Sequence, residues 1–515
     1  MKTIFVPLVG EVEDHLYHLG MKERESFLKI QERVSSILSA HNFLRYGHEL
    51  MLKVQNLIKR PDQTFFDQVI KSYSEGLGVT DSEYKNFISL FEFAAHYGQL
   101  FPELKSLIPG CTSVFQKKSD QFLHARLIDF PLMDIFNECP RLYYWKPSNR
   151  PSVLNYSCEG LAPLFFQTIH DSGFSLSLHH KPGNNFHRNG ESIFKITFNS
   201  LFDNPNMNEF RKDLRKKISI TKWGYYMMDQ TGQVLCSDID GASTNFATYH
   251  LNETSPLIFT NLPLHHDSNG HESFINFCQN REKWLMDKLK RTKNNSLLDT
   301  LTDVKDQKNY KWAHPISTLS TVGAYEINLQ DGIVKVKEGS GALTASDSIL
   351  EFDLREMSQG QMIKEAETLH PFERAWKEAS LAQSSYDEGA WDQAYHHLQM
   401  AEALVPGPIW KDIFKFFIQV WNFKFVSNKK ELAMIYREVK KLHLPQELQD
   451  QWAFLVMRLE KKLGLVLTID PEKLSEHVRN DFNREVEAPL PVFNTWMKLL
   501  YPRLEILDVF SPHQR

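Results

Sequence analysis

The stretch IPGCTSVFQKKSDQFLHARLIDFP, residues 108–131, places a glycine–cysteine pair just before a run of alternating apolar and polar residues. Alternation with a period of two is typical of a β-strand, and QFLHARLIDF shows it. A proline and a glycine directly before the cysteine interrupt regular structure. The stretch therefore predicts that a β-rich region begins at Cys111, with Arg126 and Asp129 in one of its strands.

Length and composition limit the class of protein. The chain has 515 residues, 42% of them hydrophobic and 24% charged, so we expect a globular protein of two or three domains. A net charge of -5 gives no reason to expect a nucleic acid partner. No stretch approaches the roughly 18 apolar residues of a membrane span, and the apolar run at the N-terminus is shorter than that of a signal peptide. We expect a cytoplasmic protein.

The cysteines are few and scattered. Their number, five, is odd, and none forms a CxxC pair. This pattern argues against a disulfide framework and against a zinc ribbon. Reduced thiols are therefore expected at Cys111, Cys139, Cys158, Cys236 and Cys278.

The periodicity of the chain divides it into three parts. Residues 11–105 carry apolar residues at three- and four-residue steps, which predicts helices. From 111 to about 355 the period changes to two, with helical pieces near NEFRKDLRKKI and FCQNREKWLMDKLKR. The candidate strands are QFLHARLIDF, LAPLFFQTI, FSLSLHH, WGYYMMD, GQVLCSDI, PLIFTN, VGAYEINL and GIVKVKEG, with turns predicted at Asp229–Gly232 and Asp331-Gly332.

The third part, beyond about residue 365, has helical periodicity to the end of the chain. Small, aromatic and helix-breaking residues in EASLAQSSYDEGAWDQAYHHLQMAEALVPGP fit one tetratricopeptide helix pair, a fold that commonly binds peptides or proteins. An ordinary alanine-rich helical hairpin is the alternative. The residues that fit the repeat are Ala382, Tyr386, Gly389, Ala394, Leu398, Ala401 and Pro406.

The chemistry of a cysteine nucleophile suggests why Cys111 directly follows a glycine. A cysteine attacks as a thiolate, and its ordinary pKa of about 8.5 means that it needs a base or a nearby cation. If the Gly110–Cys111 bond is cut, the new α-amine, with an ordinary pKa of about 7.7 to 8.0, supplies that base. A glycine can adopt the strained backbone that an N-to-S acyl shift requires. We therefore expect self-cleavage there, with Arg126 holding the thiolate and Asp129 accepting from the amine.

These residues together carry a family resemblance. Cys-Thr-Ser at 111–113, the later arginine and aspartate, and Thr260-Asn261 in PLIFTNLPLHHD resemble the N-terminal-nucleophile cysteine hydrolases. That family includes penicillin V acylase, bile-salt hydrolase, acid ceramidase, N-acylethanolamine acid amidase and isopenicillin-N acyltransferase. The segment HPISTLSTVGAYEINLQDGIVKVKEGSG resembles the closing hairpin of the family. The resemblance covers about residues 111–350.

The resemblance implies an α+β fold, a four-layer αββα sandwich, with no cofactor. It implies that the Asn261 side chain donates to the oxyanion, a contact typically worth about two to three decades in rate. It also implies that Arg281 braces the site and that a helical propeptide precedes the nucleophile. The second oxyanion donor of the family has no clear match, and His179 and His180 in FSLSLHHK are the candidates.

Each of these residues also has an ordinary structural interpretation. Cysteines are most often small buried apolar residues. Arg126 and Asp129 also fit a plain ion pair on a strand surface. Asn261 fits a turn at a strand end, and Arg281 fits an exposed helix face.

Two histidine clusters raise the question of a metal. Neither has the fixed ligand spacing of a zinc site, so we expect no metal, and contacts to substrate or oxyanion are equally open. One cluster is LHHK with His187 nearby, and the other comprises His265, His266, Asp267 and His271.

The sequence thus predicts a helical propeptide over 1–110, a catalytic domain over 111–360 and a helical, tetratricopeptide-like domain over 365–515. The predicted activity is that of a self-cleaving cysteine amidase or acyltransferase acting on a small N-acyl amide through a thioester. The alternative is a helical-repeat adaptor, binding a protein partner, that carries an inactive hydrolase-like domain.

Overall fold

The structure, a computed structural model, describes residues 3–39, 64–100, 110–129, 140–182, 186–253, 255–264, 272–291, 296–302, 321–338, 348–356, 360–364, 371–444, 448–474, 479, 482–483 and 485–499.

The elements in these ranges mix helices and strands, as the α+β prediction requires. The strands are β1 (Ile4–Gly10), β2 (Gly110–Lys118), β3 (Gln121–Asp129), β4 (Pro140–Pro147), β5 (Val153–Cys158), β6 (Gln167–His170), β7 (Phe174–His180), β8 (Trp223–Asp229), β9 (Gln233–Asp240), β10 (Ser243–His250), β11 (Leu257–Phe259), β12 (Thr321–Asn328), β13 (Ile333–Glu338), β14 (Ser348–Asp353) and β15 (Gln361–Lys364). The helices are α1 (Val12–Ser39), α2 (Phe65–Leu77), α3 (Asp81–Leu100), α4 (Ile193–Asp203), α5 (Met207–Leu214), α6 (Glu272–Arg291), α7 (Leu297–Thr302), α8 (Pro371–Asp387), α9 (Trp391–Leu404), α10 (Pro408–Phe425), α11 (Lys429–Lys440), α12 (Gln449–Leu463) and α13 (Leu490–Leu499).

The described strands form two sheets. One sheet has the order β1-β4-β5-β6-β7-β8-β9-β10, and the other has the order β11-β2-β3-β12-β13-β14-β15. Both predicted turns are hairpin turns, since they join β8 to β9 and β12 to β13 in antiparallel pairs. The pairing of β1 with β4 is parallel.

The two sheets face each other. Ring contacts join them, with Tyr156 and Tyr325 centroids 4.5 Å apart and Tyr226 stacked on Phe259 at 4.6 Å. Side chains also meet across the gap, because the Ser113 hydroxyl lies 2.7 Å from His179 Nε2. In β2, the side chains that point between the sheets are therefore that of Ser113 and those two residues away from it. In β3, they are the side chains of the residues paired with these.

Helices pack on the other face of each sheet. On the β2–β3 side, Val114 and Leu127 share an apolar cluster with Leu285 of α6 and Leu298 of α7. On the opposite sheet, Trp145 of β4 lies edge-on to Phe198 of α4 at 5.6 Å. The two sheets are thus packed between helices as well as on each other.

Two buried glutamates attach the N-terminal segment to the eight-stranded sheet and to α4. Glu23 of α1 accepts from the Tyr143 hydroxyl at 2.7 Å and from the Gly160 amide at 3.0 Å, and burial raises its pKa. Glu92 of α3 accepts from the Ile193 amide at 3.0 Å, and burial raises its pKa to about 7. Helices were predicted for this segment, whereas β1 was not.

One predicted strand is shorter than expected. In LAPLFFQTI only Gln167 onward is a strand. The preceding residues form a turn in which the Asn155 side-chain amide donates to the Ala162 and Leu164 carbonyls, at 3.3 and 3.0 Å. Pro163 has no N–H to offer a sheet, so this part of the run cannot complete a ladder.

Helices α8 and α9 fall where the helix pair was predicted, and Gly389 between them has a φ of 75°. Its identity as a tetratricopeptide repeat stays a prediction. Among the described residues no helix is both long and apolar enough to cross a membrane.

Candidate active site around Cys111

Cys111 is the second residue of β2 and pairs with Ile128 of β3. It alternates with Ser113, so its side chain lies between the two sheets. The residue is 4% exposed. The structure therefore places the predicted nucleophile near the start of a strand that has a neighbour on each side, in a buried position.

Arg126 lies directly beside the sulfur. Its Nη2 is 3.3 Å from Cys111 Sγ, and the arginine is 1% exposed. The guanidinium is fixed because it also donates to the Leu178 carbonyl at 2.6 Å and to the Phe166 carbonyl. A cation held this way can donate a charge-assisted hydrogen bond to a thiolate.

Asp129 lies on the other side of the strand, against Gly110. The two residues pair in register, and a Cβ at Gly110 would lie 2.8 Å from Asp129 Oδ2. Gly110 is not among the positive-φ glycines of the described residues. A left-handed φ therefore does not explain this glycine, and the structure gives a steric reason: a glycine lets the carboxylate approach the bond to Cys111.

The Asp129 carboxylate is held by two donors. Arg281 Nη2 lies 2.8 Å from Oδ2, and the Thr321 hydroxyl donates to Oδ1 at 2.6 Å. Arg281 is completely buried, so it is not an exposed helix arginine. Arg126 and Asp129 occupy opposite faces of β3, so they do not form the surface ion pair considered as an alternative.

Asn261 joins the backbone of Cys111 to the opposite sheet. The Cys111 N–H donates to Asn261 Oδ1 at 2.8 Å, and Asn261 Nδ2 donates to the His180 carbonyl at 2.8 Å. These partners fix which end of the amide is oxygen, because a backbone N–H only donates and a carbonyl only accepts. Asn261 is therefore more than a turn residue at a strand end, and its NH₂ group is the end available to an oxyanion.

The ring of His179 is bonded through both nitrogens. Nδ1 lies 3.1 Å from the Thr260 carbonyl, so it carries the proton, and Nε2 accepts from the Ser113 hydroxyl. Burial, reinforced by the Arg126 charge, sets the pKa of His179 well below its ordinary value. A neutral ring of this tautomer has no proton on Nε2 to give to an oxyanion.

The ring of His180 lies on the other face of β7. It meets Trp223 edge-on at 5.1 Å, on the side where α4 packs. Alternation along the strand explains this, since neighbouring residues point to opposite faces. The backbone carbonyl of His180 therefore lies at the site, whereas its side chain points to the opposite face of the sheet.

The histidine clusters contribute no metal site in the described part of the chain, where no group of three His, Cys, Asp or Glu side chains could hold an ion. His187 instead lies 2.9 Å from Asp240 Oδ1. His265, His266, Asp267 and His271 lie outside the described residues.

Sequence reasoning missed three residues that support the site. Thr321 lies in the serine- and threonine-rich segment that was noted without a role for any one residue. Glu282 follows Arg281 and accepts from the Thr260 hydroxyl at 2.7 Å. Lys181 follows the two histidines and reaches the Thr260 carbonyl at 3.0 Å. The sequence signal for Glu282 and Lys181 is only that each directly follows a predicted site residue.

Comparisons with known proteins give matches to solved structures. No protein-family model matches the chain, and no curated protein matches it. An N-acylethanolamine-hydrolyzing acid amidase ortholog of Caenorhabditis elegans is 13% identical, with 42% of this chain and 93% of that chain covered and a TM-score of 0.29. A mutant conjugated bile acid hydrolase of Clostridium perfringens is 12% identical, with 50% and 97% covered and a TM-score of 0.32. A penicillin V acylase of Agrobacterium tumefaciens is 12% identical, with 47% and 91% covered and a TM-score of 0.29. These are proteins to which part of this chain is similar, and the site described above stands on its own contacts.

Proposed function

We propose that this protein is a self-cleaving cysteine amidohydrolase or acyltransferase that acts on a non-peptide N-acyl amide. The observation that carries the proposal is the placement of Cys111. Its sulfur lies 3.3 Å from a fixed guanidinium and its backbone nitrogen 2.8 Å from Asn261 Oδ1. A buried cysteine with only a packing role needs neither partner.

Self-cleavage uses the same groups. The Cys111 sulfur adds to the Gly110 carbonyl, the bond from that carbonyl to the Cys111 nitrogen breaks, and the nitrogen takes the thiol proton. That step frees the α-amine of Cys111, and water then hydrolyses the resulting thioester to give the Gly110 carboxyl group and the Cys111 thiol. Asp129, beside Gly110, is placed to accept a hydrogen bond from that amine.

Turnover repeats the chemistry on a small substrate. The sulfur attacks the amide carbonyl, Asn261 Nδ2 donates to the oxyanion, and the α-amine passes the thiol proton to the leaving amine. An acyl-enzyme thioester remains. Water resolves it in hydrolysis, and a second amine resolves it in acyl transfer.

The proposal extends to the architecture. The facing sheets with helices outside them support an αββα catalytic domain over 111–360. We further propose a severed segment over 1–110 and a helical domain over 365–515. Small-molecule amides are the proposed substrates, and the last domain is the proposed site for a protein partner.

Acylation by an activated ester tests the proposal. After incubation with 4-nitrophenyl acetate, we expect one acetyl group on the piece 111–515, removed by hydroxylamine as a thioester is. Cys111→Ala should take up no label, and Cys158→Ala, which removes another buried thiol, should label normally. An intact chain without label at Cys111 would favour the alternative, an adaptor with an inactive hydrolase-like domain.

A further inference from the structure

The backbone on both sides of Asn261 is held by one lysine. Lys181 directly follows β7 and is 1% exposed. Its ammonium group donates to the Thr260 carbonyl at 3.0 Å and to the Leu262 carbonyl, the residues before and after Asn261. Its third partner is the Tyr226 hydroxyl. An ammonium group has three donors, so all three are used, and two of them fix this loop.

The fold makes room for this lysine at Gly224. A Cβ at Gly224 would lie 2.4 Å from Lys181 Cε and 3.1 Å from Asp238 Oδ1. Asp238 also holds the end of the same loop, because its Oδ2 accepts from the Leu264 amide at 2.6 Å. Burial lowers the pKa of Lys181, and the Asp238 carboxylate opposes that shift.

We propose that Lys181 is a positioning residue that fixes the Thr260–Leu262 backbone so that the Asn261 amide stays aligned with Cys111. The proposal rests on the proposed function, since it assumes that Asn261 serves the oxyanion. Lys181 touches no reacting atom. Its effect arises because a catalytic group displaced by about 1 Å costs roughly 100-fold in rate.

Two probes of the same sulfur separate this role from general support of the fold. Acylation by 4-nitrophenyl acetate passes through an oxyanion, whereas alkylation by iodoacetamide is a direct displacement without one. We expect Lys181→Met to slow acylation of the cleaved protein by about 10- to 100-fold and alkylation by less than about 3-fold. Mass spectrometry of the piece 111–515 reports both rates on cleaved molecules alone.

Two further variants complete the design. Lys195→Met removes a largely buried lysine that pairs with Asp67 at 2.8 Å, away from Cys111, and should leave both rates unchanged. Gly224→Ala keeps the ammonium group but displaces it, and should slow acylation selectively even if Lys181→Met fails to fold.

The outcomes are distinct. Selective loss of acylation supports the proposal, as does loss of self-cleavage in a folded Lys181→Met protein when Lys195→Met cleaves fully. Equal loss of both rates, or no loss in Lys181→Met and Gly224→Ala, overturns it while the proposed function stands. A wild-type chain that neither cleaves nor reacts with the ester instead overturns the proposed function.

Discussion

Gly110 shows how one missing side chain lets the Asp129 carboxylate approach the Gly110–Cys111 bond. A Cβ there would lie 2.8 Å from Asp129 Oδ2 and 3.3 Å from Arg281 Nη1. The carboxylate cannot move aside easily because Arg281 and Thr321 hold both of its oxygens. A glycine therefore fits before Cys111 because there is no room for a side chain, and not because its φ is positive.

The first prediction concerns Gly110→Ala. The added methyl group should push Asp129 away from the Gly110–Cys111 bond and slow self-cleavage by about 10-fold or more. The fraction of intact chain, followed by mass after synthesis, measures the rate, and an unchanged melting temperature shows that the fold is kept. Cleavage at the wild-type rate would contradict the steric account.

The second prediction concerns the buried pair beneath the site. Arg281→Met leaves the Asp129 carboxylate buried without its cation, and should lower the free energy of unfolding by about 3–5 kcal/mol. Thr321→Val removes one hydroxyl hydrogen bond to the same carboxylate, leaves the cation in place, and should cost about 1.5–3 kcal/mol. Denaturant unfolding measures both, and equal losses would show that the ion pair has no special weight.

Residue types in the sequence predicted the members of the site but not their bonds. Cys111, Arg126, Asp129, Asn261 and Arg281 converge as expected. The sequence did not reveal that Arg126 and Asp129 serve opposite faces of one strand. Nor did it reveal that alternation turns the His180 ring away.

At the scale of elements, the carboxylates of Asp67 and Glu92 attach the N-terminal helices to α4, which packs on the larger sheet. Lys195 and Lys85 lower the pKa of Asp67 to about 2, so it stays ionised at any ordinary pH. Glu92 faces the Ile193 amide and the Thr221 hydroxyl, and its raised pKa of about 7 means that it binds a proton in the folded state.

The third prediction follows from that proton. A carboxyl whose pKa is raised by burial contributes its full stabilisation below its ordinary pKa of 4.5. That contribution declines as the pH rises and is lost once the pH has passed the raised pKa of about 7. After cleavage, the piece 1–110 should bind the remainder on the order of 100-fold more weakly above pH 8 than near pH 5. The raised pKa of Glu23 adds to the same trend.

Glu92→Gln provides the matched control, since a neutral amide of the same shape cannot titrate. Its pieces should associate with a much smaller dependence on pH, the remainder coming from Glu23. Binding of the separated pieces by surface plasmon resonance between pH 5 and 8.5 gives the comparison. Tighter binding at high pH in the wild type would contradict the assignment.

Elements with strong local patterns were predictable, and those that depend on distant partners were not. FSLSLHH, WGYYMMD and VGAYEINL form strands as their alternation indicates. β1 contains a proline and pairs in parallel with β4, far along the chain, so its local pattern gives little sign of a strand. β10 is a mostly exposed polar edge strand, which lacks a buried apolar face to reveal it.

At the scale of the whole molecule, the N-terminal segment contacts both other parts of the chain. β1 adds a strand to the larger sheet, and α1 reaches the C-terminal helices through Arg33, which donates to the Ser384 carbonyl at 2.6 Å and pairs with Glu388 at 3.1 Å. The sequence predicted three parts, but the contact of the first with the C-terminal helices was not predicted, because it joins residues far apart in the chain.

The fourth prediction is that cleavage does not release this segment at neutral pH. Strand pairing and the shared apolar core should keep 1–110 and 111–515 in one peak on size exclusion, and denaturant should separate them. Two peaks at neutral pH without denaturant would show that the segment is held more weakly than its contacts indicate.

The intact mass of the freshly purified protein is the most direct test of self-cleavage between Gly110 and Cys111. We expect two masses, those of residues 1–110 and 111–515, in the wild type, and one full-length mass in Cys111→Ala. A wild-type protein that keeps the mass of all 515 residues after prolonged incubation would contradict it.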